Sequence, residues 1–581
     1  MKNYRFTALL SIILTVLSNG MQLLLPAMMS LIINNGIAEA NNNGIDYIKK
    51  IGMYMIIASF CALIIASFAS FFSSRTSSGF SKELRRAVFT KIETLSQSDI
   101  DRITTSSLIT RSTNDVRQIE NMLLTCMRML MSSLIMLIGG TVMAFTLNKV
   151  LAAVLFGVVP IVLGLAMLIM KKIIPMYDSV QKYTDELNRV LREKISGIRV
   201  IRAFNKSEYE DKRFKSSNDI LTSFMLKINR IYALLIPVGS MLLIGVIALL
   251  VFLNTKQIES ADILSPGGRE LITNTVGNLQ AFIIYALMII AAITMAASMY
   301  VFIPKAMISI NRINDVLNCN PVVKDPESPT KPSENNIVEF ENVSFKYADD
   351  DSDILNNISF TANPGEVTAI IGGTGSGKST IINLIPRFYD VTDGEIKLGD
   401  RNIKDITQKN LRDRIALIPQ QAILFSGTIA DNLRFGKEDA NEEEMWEALK
   451  IAQAEDFVRK LPDGLNSFVS QGGKNLSGGQ KQRLAIARAV IKKADIYIFD
   501  DSFSALDFKT DALLKKALRS ALKNSVLIIV AQRIGTIIDA DKIVVLNHGD
   551  VAGIGKHQEL AENCKEYIEI MQSQLSTEDM A

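Results

Sequence analysis

Six long apolar stretches, all before residue 305, limit what this chain can fold into. A segment of about 20 mostly apolar residues crosses a bilayer as a helix, because hydrocarbon offers backbone polar groups no partner outside the helix itself. The stretches cover roughly residues 6–33, 52–72, 122–147, 150–170, 231–253 and 276–303. The first is too long for a signal peptide and lacks a small-residue cleavage site. The sequence therefore predicts an α-helical six-span transmembrane domain over residues 1–317.

The distribution of Lys and Arg predicts the orientation of these spans. The connections after the second and fourth stretches are rich in basic residues, whereas those after the first, third and fifth hold few. Because basic connections stay on the cytosolic side, both termini are expected in the cytosol of a cell-membrane protein. The two basic connections are each about fifty residues long and show apolar residues at helical spacing. They predict spanning helices that continue well into the cytosol.

Few charges interrupt the six stretches. Arg128 and Arg230 lie near predicted cytosolic ends, where a long side chain can snorkel. The lack of a mid-span charge argues against an ion pathway. Methionines and aromatic residues are common instead, namely Met21, Met28 and Met29 in the first stretch and Phe282, Tyr285, Met288 and Tyr300 in the last. They suit a pocket for varied apolar ligands, and they suit ordinary helix packing equally.

The composition of the whole chain fits two unlike parts. Hydrophobic residues make up 48% of it and charged residues 21%, a mixture typical of one lipid-exposed and one water-exposed domain. The net charge of +3 over 581 residues gives no sign of nucleic-acid binding. The four cysteines are scattered without a close pair, which argues against a disulfide framework or a metal site.

A proline-rich, polar segment over residues 318–336 predicts a linker, and residues 337–581 form a second domain. An apolar strand over 367–371 leads into a G-x-x-x-x-G-K-[ST] phosphate loop that opens a helix. The loop consists of Gly372, Gly373, Thr374, Gly375, Ser376, Gly377, Lys378 and Ser379, with Thr380 next in the helix. Its backbone N–H groups and the helix N-terminus bind phosphates. Lys378 is expected to reach the terminal phosphates, and Ser379 to ligate Mg²⁺.

Two further motifs lie downstream. A second apolar strand, over 496–499, ends at Asp500, which suits the Mg²⁺ shell of a phosphate-loop protein. The segment before it holds Leu476, Ser477, Gly478, Gly479 and Gln480, which taken alone fits a helix cap with a flexible approach. In this order the five residues resemble the signature motif of ATP-binding cassettes. With the six spans, the chain resembles a multidrug-type half-transporter of the type IV ABC exporter family over almost its full length.

The resemblance implies a transmembrane domain followed by an α/β phosphate-loop cassette that uses ATP and Mg²⁺. Tyr347 would stack on adenine, Gln420 would touch Mg²⁺ and face the membrane domain, and Asp507 would belong to the D-loop. Short helices in the cytosolic connections, near residues 106–115 and 198–204, would press on the cassettes. In this family two cassettes dimerise head to tail. Each ATP then lies between one phosphate loop and the other chain's signature.

Three positions depart from the family pattern. Asp501 replaces the usual Glu that activates water, and the shorter side chain withdraws its carboxylate by about 1 Å, a displacement that can cost roughly 10²-fold in rate. Gln532 replaces the usual His of the switch segment, and glutamine can donate a hydrogen bond but carries no proton or charge. Gln471 replaces an acidic residue before the signature. The only histidines, His548 and His557, lie further downstream.

These departures predict the degenerate-site subunit of a heterodimeric bacterial exporter. Its own site would hold ATP and hydrolyse it slowly, and its signature would complete the active site of a second half-transporter chain. The expected function is ATP-driven export of amphipathic drugs or lipids across the bilayer, with an exported peptide left open. The alternative is an ATP-gated channel or regulatory subunit that does not pump.

Overall fold

The computed structural model describes residues 4–37, 44–259, 266–347 and 352–578. The chain divides into two compact units. The first contains residues up to Glu93 and then Ser106–Cys319, and the second contains Thr94–Thr105 and everything from Asn320. The predicted domain boundary at 317/318 stays a prediction, and a short segment of the first basic connection, Thr94–Thr105, groups with the second unit.

The described part of the first 320 residues consists of helices joined by short connections. The helices are α1 (Arg5–Leu31), α2 (Gly44–Glu93), α3 (Gln97–Ile103), α4 (Thr105–Thr110), α5 (Val116–Thr125), α6 (Met131–Leu147), α7 (Lys149–Ser196), α8 (Ile198–Ala203), α9 (Ser207–Glu259) and α10 (Pro266–Leu317). Three π-helical turns, Ile32–Ile37, Arg111–Asp115 and Cys126–Leu130, continue or join these helices. All except α3 belong to the first unit.

The long helices of the first unit exceed the thickness of a bilayer. With 50 residues, α2 is about 75 Å long at 1.5 Å per residue, against a hydrocarbon core of about 30 Å. By length and composition, four helical segments qualify as spans: Arg5–Ile37, Gly44–Glu93, Thr105–Leu147 and Ile272–Ala296. Shorter apolar segments, Lys149–Ile161 and Ser240–Lys256, lie in α7 and α9 where the fourth and fifth spans are predicted. The helical membrane domain is confirmed, and the count of six spans agrees with these helices but stays a prediction.

Small polar residues hold α1 against α2. Ser11 contacts Ser73 through their hydroxyls at 2.5 Å and donates to the carbonyl of Ala69 at 3.2 Å. Ser18 donates to the carbonyl of Ala62 at 3.2 Å. Small residues let helix backbones approach closely in a membrane, where hydrophobic burial gives no drive for helix association. The serines of α1 therefore make the hydrogen bonds that hold this pair of helices together.

The aromatic residues of the last span lie in the core of the first unit. Phe282 and Tyr285 are fully buried, and the Tyr285 hydroxyl donates to the carbonyl of Leu23 at 2.8 Å. This favours the packing interpretation over the ligand-pocket interpretation for these two residues. The side chain of Tyr300 lies outside the described residues.

The described residues of the second unit contain twelve strands. They are β1 (Val338–Phe345), β2 (Leu355–Ala362), β3 (Val367–Gly372), β4 (Asp393–Leu398), β5 (Arg401–Asn402), β6 (Ile415–Ile418), β7 (Gly427–Thr428), β8 (Phe468–Val469), β9 (Ile496–Asp500), β10 (Val526–Val530), β11 (Lys542–Asn547) and β12 (Asp550–Gly555). An antiparallel sheet has the order β2-β1-β4-β5, a second sheet the order β12-β11-β3-β10-β9-β6, and β7 pairs with β8. In the six-stranded sheet only β12 is antiparallel to its neighbour.

Helices cover the sheets of this unit. They are α11 (Lys378–Leu384), α12 (Gln408–Asp413), α13 (Ile429–Arg434), α14 (Glu442–Ile451), α15 (Glu455–Arg459), α16 (Gly478–Val490), α17 (Phe508–Ala521), α18 (Ile534–Ile537), α19 (His557–Asn563) and α20 (Lys565–Glu578). Because β9 and β10 are buried on both faces, their sequences read as continuous apolar runs. β10 lies between β3 and β9, with Val530 aligned to Ile370 on one side and Asp500 on the other. The carboxyl ends of β3, β10 and β9 thus lie side by side at one edge of the sheet.

Candidate functional site

The phosphate loop joins β3 to α11 at this edge. Gly375 and Gly377 have φ of +80° and +95°, conformations that L side chains rarely adopt. A Cβ at Gly377 would also lie 2.4 Å from Leu355 Cδ2. The spacing of the glycines therefore reflects backbone requirements, and binding of phosphate by the N–H groups of the loop stays a prediction.

Lys378 is held by the loop it follows. Its Nζ donates to the carbonyls of Gly372 at 2.8 Å and Gly373 at 2.6 Å. Burial lowers the pKa of Lys378, and the nearby carboxylates of Asp500 and Asp501 partly oppose that shift. The third contact of Lys378 Nζ is the Ser376 hydroxyl at 3.5 Å, so the ammonium has neutral acceptors. An anionic oxygen would bind it more strongly, since charge-assisted hydrogen bonds are about twice as strong as neutral ones.

Asp500 lies at the carboxyl end of β9, next to the phosphate loop. Burial raises the pKa of Asp500, as does the charge of Asp501, while Lys378 lowers it. A half-buried carboxylate of this kind is stabilised by a cation, and hydroxyl, amide and carboxylate oxygens are the ligands that Mg²⁺ prefers. Ser379, Gln420 and Asp500 together supply that donor set. Among the described residues no group of three His, Cys, Asp or Glu forms a metal cluster, so a cation here would depend on phosphate oxygens as well.

The structure brings Gln420 and Asp501 together. Gln420 Nε2 donates to Asp501 Oδ2 at 3.2 Å. Asp501 itself has φ of +44°, a left-handed conformation in which aspartate is among the better tolerated residues, and its N–H donates to the carbonyl of Val530 at 2.9 Å. Asp501, which is predicted to be a weak base, is thus fixed at the turn after β9, with the side-chain amide of Gln420 as its partner.

Tyr347 lies beside the first turn of α11. Its hydroxyl is 3.3 Å from Thr380 Oγ1, and its ring meets the rings of Phe345 and Tyr389 edge to face, with centroids 4.9 and 5.2 Å away. The ring is partly exposed. Its position next to the phosphate loop suits adenine stacking, which stays a prediction.

The signature residues form the N-terminus of α16. Ser477 is the N-cap, and its hydroxyl accepts from the N–H of Gln480 while the Gln480 side chain accepts from the N–H of Ser477 at 2.9 Å. Gly479 lies close to the D-loop, since a Cβ there would be 3.2 Å from the carbonyl of Ala505. Asp507 caps α17 by accepting from the N–H of Thr510 at 3.0 Å. Ser477 and Gly478 are exposed, and in the described part of the chain no hydrogen bond joins them to the phosphate loop.

The switch segment has a partner that the sequence motifs do not reveal. The Gln532 side chain is exposed. The backbone carbonyl of Gln532 accepts a hydrogen bond from Gln574 Nε2 at 2.7 Å. Gln574 Oε1 in turn accepts from the N–H of Ile534 at 2.9 Å. One amide of α20 therefore clamps the backbone after β10 on both sides. A residue 42 positions away in a helix of mixed polarity carries no motif that could have pointed to it.

The helix that groups with the cassette is α3, not the predicted segment 106–115, which belongs to the first unit. Tyr389 donates to Asp101 at 2.5 Å, and the N–H of Val322 donates to Asp99 at 3.3 Å. Burial and the bond to Asp101 raise the pKa of Tyr389. The segment 106–115 was placed by the family resemblance alone, and in the structure α4 and the next π-helical turn cover it.

The other predicted segment, 198–204, does contain a short helix, α8, within the first unit. Val200 and Phe204 are 60% and 72% exposed. Gln471, the third departure from the family pattern, is exposed in a short 3₁₀ turn before the signature.

Comparison with known proteins agrees with this architecture. Residues 8–293 match the ABC transporter transmembrane region and residues 355–504 match the ABC transporter cassette. An uncharacterized ABC transporter ATP-binding protein of Mycobacterium tuberculosis is 38% identical over 501 residues, covering 85% of this chain and 84% of that protein. An ATP-dependent lipid A-core flippase of Syntrophus aciditrophicus is 32% identical over 495 residues, covering 85% and 80%.

A solved structure of a bacterial Atm1-family ABC exporter with ATP bound shares the fold. Its TM-score is 0.82 at 24% identity, with 98% of this chain and 99% of that chain covered. The chain belongs to the ABC transporter family: a membrane protein in which a helical transmembrane domain is fused to an ATP-binding cassette that couples ATP hydrolysis to transport.

Proposed function

We propose that this chain is the degenerate-site subunit of a heterodimeric exporter in the cell membrane, with both termini and the cassette in the cytosol. The observation that carries the proposal is the pair Asp501 and Gln532, which follow adjacent strands beside the phosphate loop and replace Glu and His. Asp501 accepts a hydrogen bond from Gln420, so a short carboxylate with an occupied oxygen is left to orient water.

The two halves of the cassette then have separate tasks. The phosphate loop, with Tyr347 beside it and Mg²⁺ held by Ser379, Gln420 and Asp500, binds ATP and hydrolyses it slowly. The exposed signature, Ser477 to Gln480, serves the ATP bound by the partner chain, which supplies its own Glu and His. The substrate is an amphipathic drug or lipid. The lipid A-core flippase among the relatives supports an amphipathic cargo.

Purification of the chain alone tests the catalytic part of this proposal. We expect ATP hydrolysis at a trace rate, because each site of a homodimer would contain Asp501 and Gln532. The double variant Asp501→Glu with Gln532→His places the usual residues beside an unchanged signature, and it should raise the rate at least tenfold. A wild-type homodimer turning over at about 1–10 s⁻¹, a rate common among enzymes, would contradict the heterodimer.

Transport is tested separately in sealed vesicles that contain the assembled pair. ATP-dependent accumulation of an amphipathic dye against its gradient is expected. Equilibration without accumulation would support the alternative of an ATP-gated channel, because a channel only dissipates a gradient.

A further inference from the structure

A cavity of about 360 Å³ lies in the first unit, between α1, α2, α10 and α6 with the π-helical turn that precedes α6. The polar residues that line it, here called the polar wall, include Asn19, Gln22, Ser70 and Arg128, and its apolar lining includes Met136 and Met288. The volume is within the range of ligand pockets, which is roughly 300–1,000 Å³. Among the described methionines and aromatic residues that suit an apolar pocket by sequence, Met288 lines this cavity.

Part of the polar wall is already satisfied within the protein. Asn19 is 6% exposed, its Nδ2 donates to the carbonyl of Thr15 at 2.8 Å, and its Oδ1 accepts from Ser132 at 2.8 Å. These bonds fix the wall at the middle of α1. The side chains of Gln22, Ser70 and Arg128, by contrast, make no hydrogen bond or ion pair with any other described residue.

The structure gives Arg128 surroundings that the sequence does not reveal. It lines the cavity together with Asn19, which lies halfway along α1. No acidic residue is among the residues that line the cavity. A charged side chain in a spanning segment is costly unless it faces water, a counter-charge or a ligand. Arg128 also lies in the π-helical turn Cys126–Leu130, and such turns occur frequently at functional sites.

The chemistry of the three free groups is specific. A guanidinium pairs bidentately with carboxylate or phosphate oxygens, and the Gln22 amide and Ser70 hydroxyl add donors to the same oxygens. Pro26 lacks the N–H that would otherwise bond to the Gln22 carbonyl, which leaves that turn of α1 more polar still. The methionines provide an adaptable apolar surface for the rest of a ligand.

We propose that this cavity binds the anionic head group of an amphipathic substrate, with Arg128 as the counter-charge and Gln22 and Ser70 as donors. The inference rests on the proposed export of amphipathic compounds and narrows it to anions. Cationic amphiphiles, which would place a second positive charge beside Arg128, are excluded from this site.

The test measures binding without ATP or a partner, so its outcome is independent of the heterodimer. The full chain is placed in zwitterionic lipid nanodiscs and exposed to three photoreactive amphiphiles. They share one alkyl chain and carry a phosphate, a disaccharide or a quaternary ammonium head. We expect saturable labelling of peptides that line the cavity, with the phosphate probe binding at least tenfold more tightly, about 1.4 kcal/mol.

Two variants and one control locate the effect. Arg128→Gln should remove the preference for phosphate, whereas Arg230→Gln, the other arginine of a predicted span end, should keep it. Gln22→Leu breaks no hydrogen bond in the structure and should weaken phosphate binding about three- to tenfold. If Arg128→Gln fails to fold, Gln22→Leu and the labelled peptides decide the result. Equal binding of the three heads, preference for the cation, labelling elsewhere, or an unchanged preference in Arg128→Gln would overturn the proposal.

Discussion

The phosphate-loop end of the cassette and its signature helix both handle ATP, but they differ in which parts are altered. The phosphate loop keeps its motif, with Gly375 and Gly377 at positive φ and Lys378 bonded to the loop carbonyls. The residues that move protons in the family, Glu and His, are replaced by Asp501 and Gln532. At the signature the motif and its capping box are complete, with Ser477 and Gln480 bonded reciprocally. Binding and hydrolysis depend on different residues, so one can be lost while the other is kept.

This difference follows from how each function is built. Phosphate binding uses many backbone donors, and replacing any one side chain leaves most of them in place. Water activation depends on one carboxylate whose position matters to within about 1 Å. A chain that needs only to hold ATP can lose the precisely placed carboxylate and keep the glycines of the phosphate loop. The comparison predicts that substitutions at the two ends have very unequal effects in the assembled pair.

The largest effect is expected for Ser477→Ala. In the proposed dimer this hydroxyl faces the partner's ATP, and losing a donor to transition-state charge costs about 10²–10³-fold in the step it serves. Ser477 is also an N-cap, whose loss costs about 1 kcal/mol of stability. Thr428→Ala removes a cap of the same kind from α13 and serves as the control. Steady-state ATPase activity should collapse in the first variant and hold in the second. Equal activities would refute the role of the signature.

Lys378→Ala should weaken ATP binding at this chain's own site by about tenfold or more, because charge-assisted hydrogen bonds contribute about 1.5–3 kcal/mol. Equilibrium nucleotide binding to the pair measures it, with Lys409→Ala, an exposed lysine of the same unit, as the control. Trapped-nucleotide analysis of the wild-type pair then compares the two sites. Equal ADP production at both would contradict the division of labour.

The sequence predicted best what is encoded by neighbouring residues. The phosphate loop, the strand that ends at Asp500 and the signature cap each depend on a few consecutive positions, and each lies where it was expected. Residues that act across the fold were missed. Gln574 reaches the switch segment from α20. Arg128 and Asn19 line one cavity, which spacing along the sequence does not show because it does not give which helices meet. The segment 106–115 rested on the family resemblance, and no motif in this sequence distinguishes it from α3, which groups with the second unit.

Gln574→Met tests the clamp on the switch segment. The variant keeps the length of the side chain but removes both hydrogen bonds, to the Gln532 carbonyl and the Ile534 N–H. Since each bond contributes about 0.5–1.5 kcal/mol, ATP should leave the slow site about three- to tenfold faster. Release of a fluorescent ATP analogue is the measurement, and Gln572→Met, an exposed glutamine on the same helix, is the matched control. If both variants release nucleotide alike, the clamp has no role in retention.

The smallest effect should come from Asp501→Asn in the assembled pair, although this is the residue that aligns with the catalytic base of the family. Asparagine keeps an oxygen that can accept from Gln420, so the turn after β9 should keep its geometry. Removing the charge also takes away one cause of the raised pKa of Asp500, and the neighbouring carboxylate then ionises more readily. Only the basic function is lost, and at the slow site it supplies a small share of turnover. Total ATPase activity should therefore change less than about threefold.

The ordering against Ser477→Ala is decisive, because both substitutions are on the same chain and differ only in whose ATP they serve. If Asp501→Asn abolished turnover while Ser477→Ala left it unchanged, this chain's own phosphate loop would be the working site, and its aspartate a competent base.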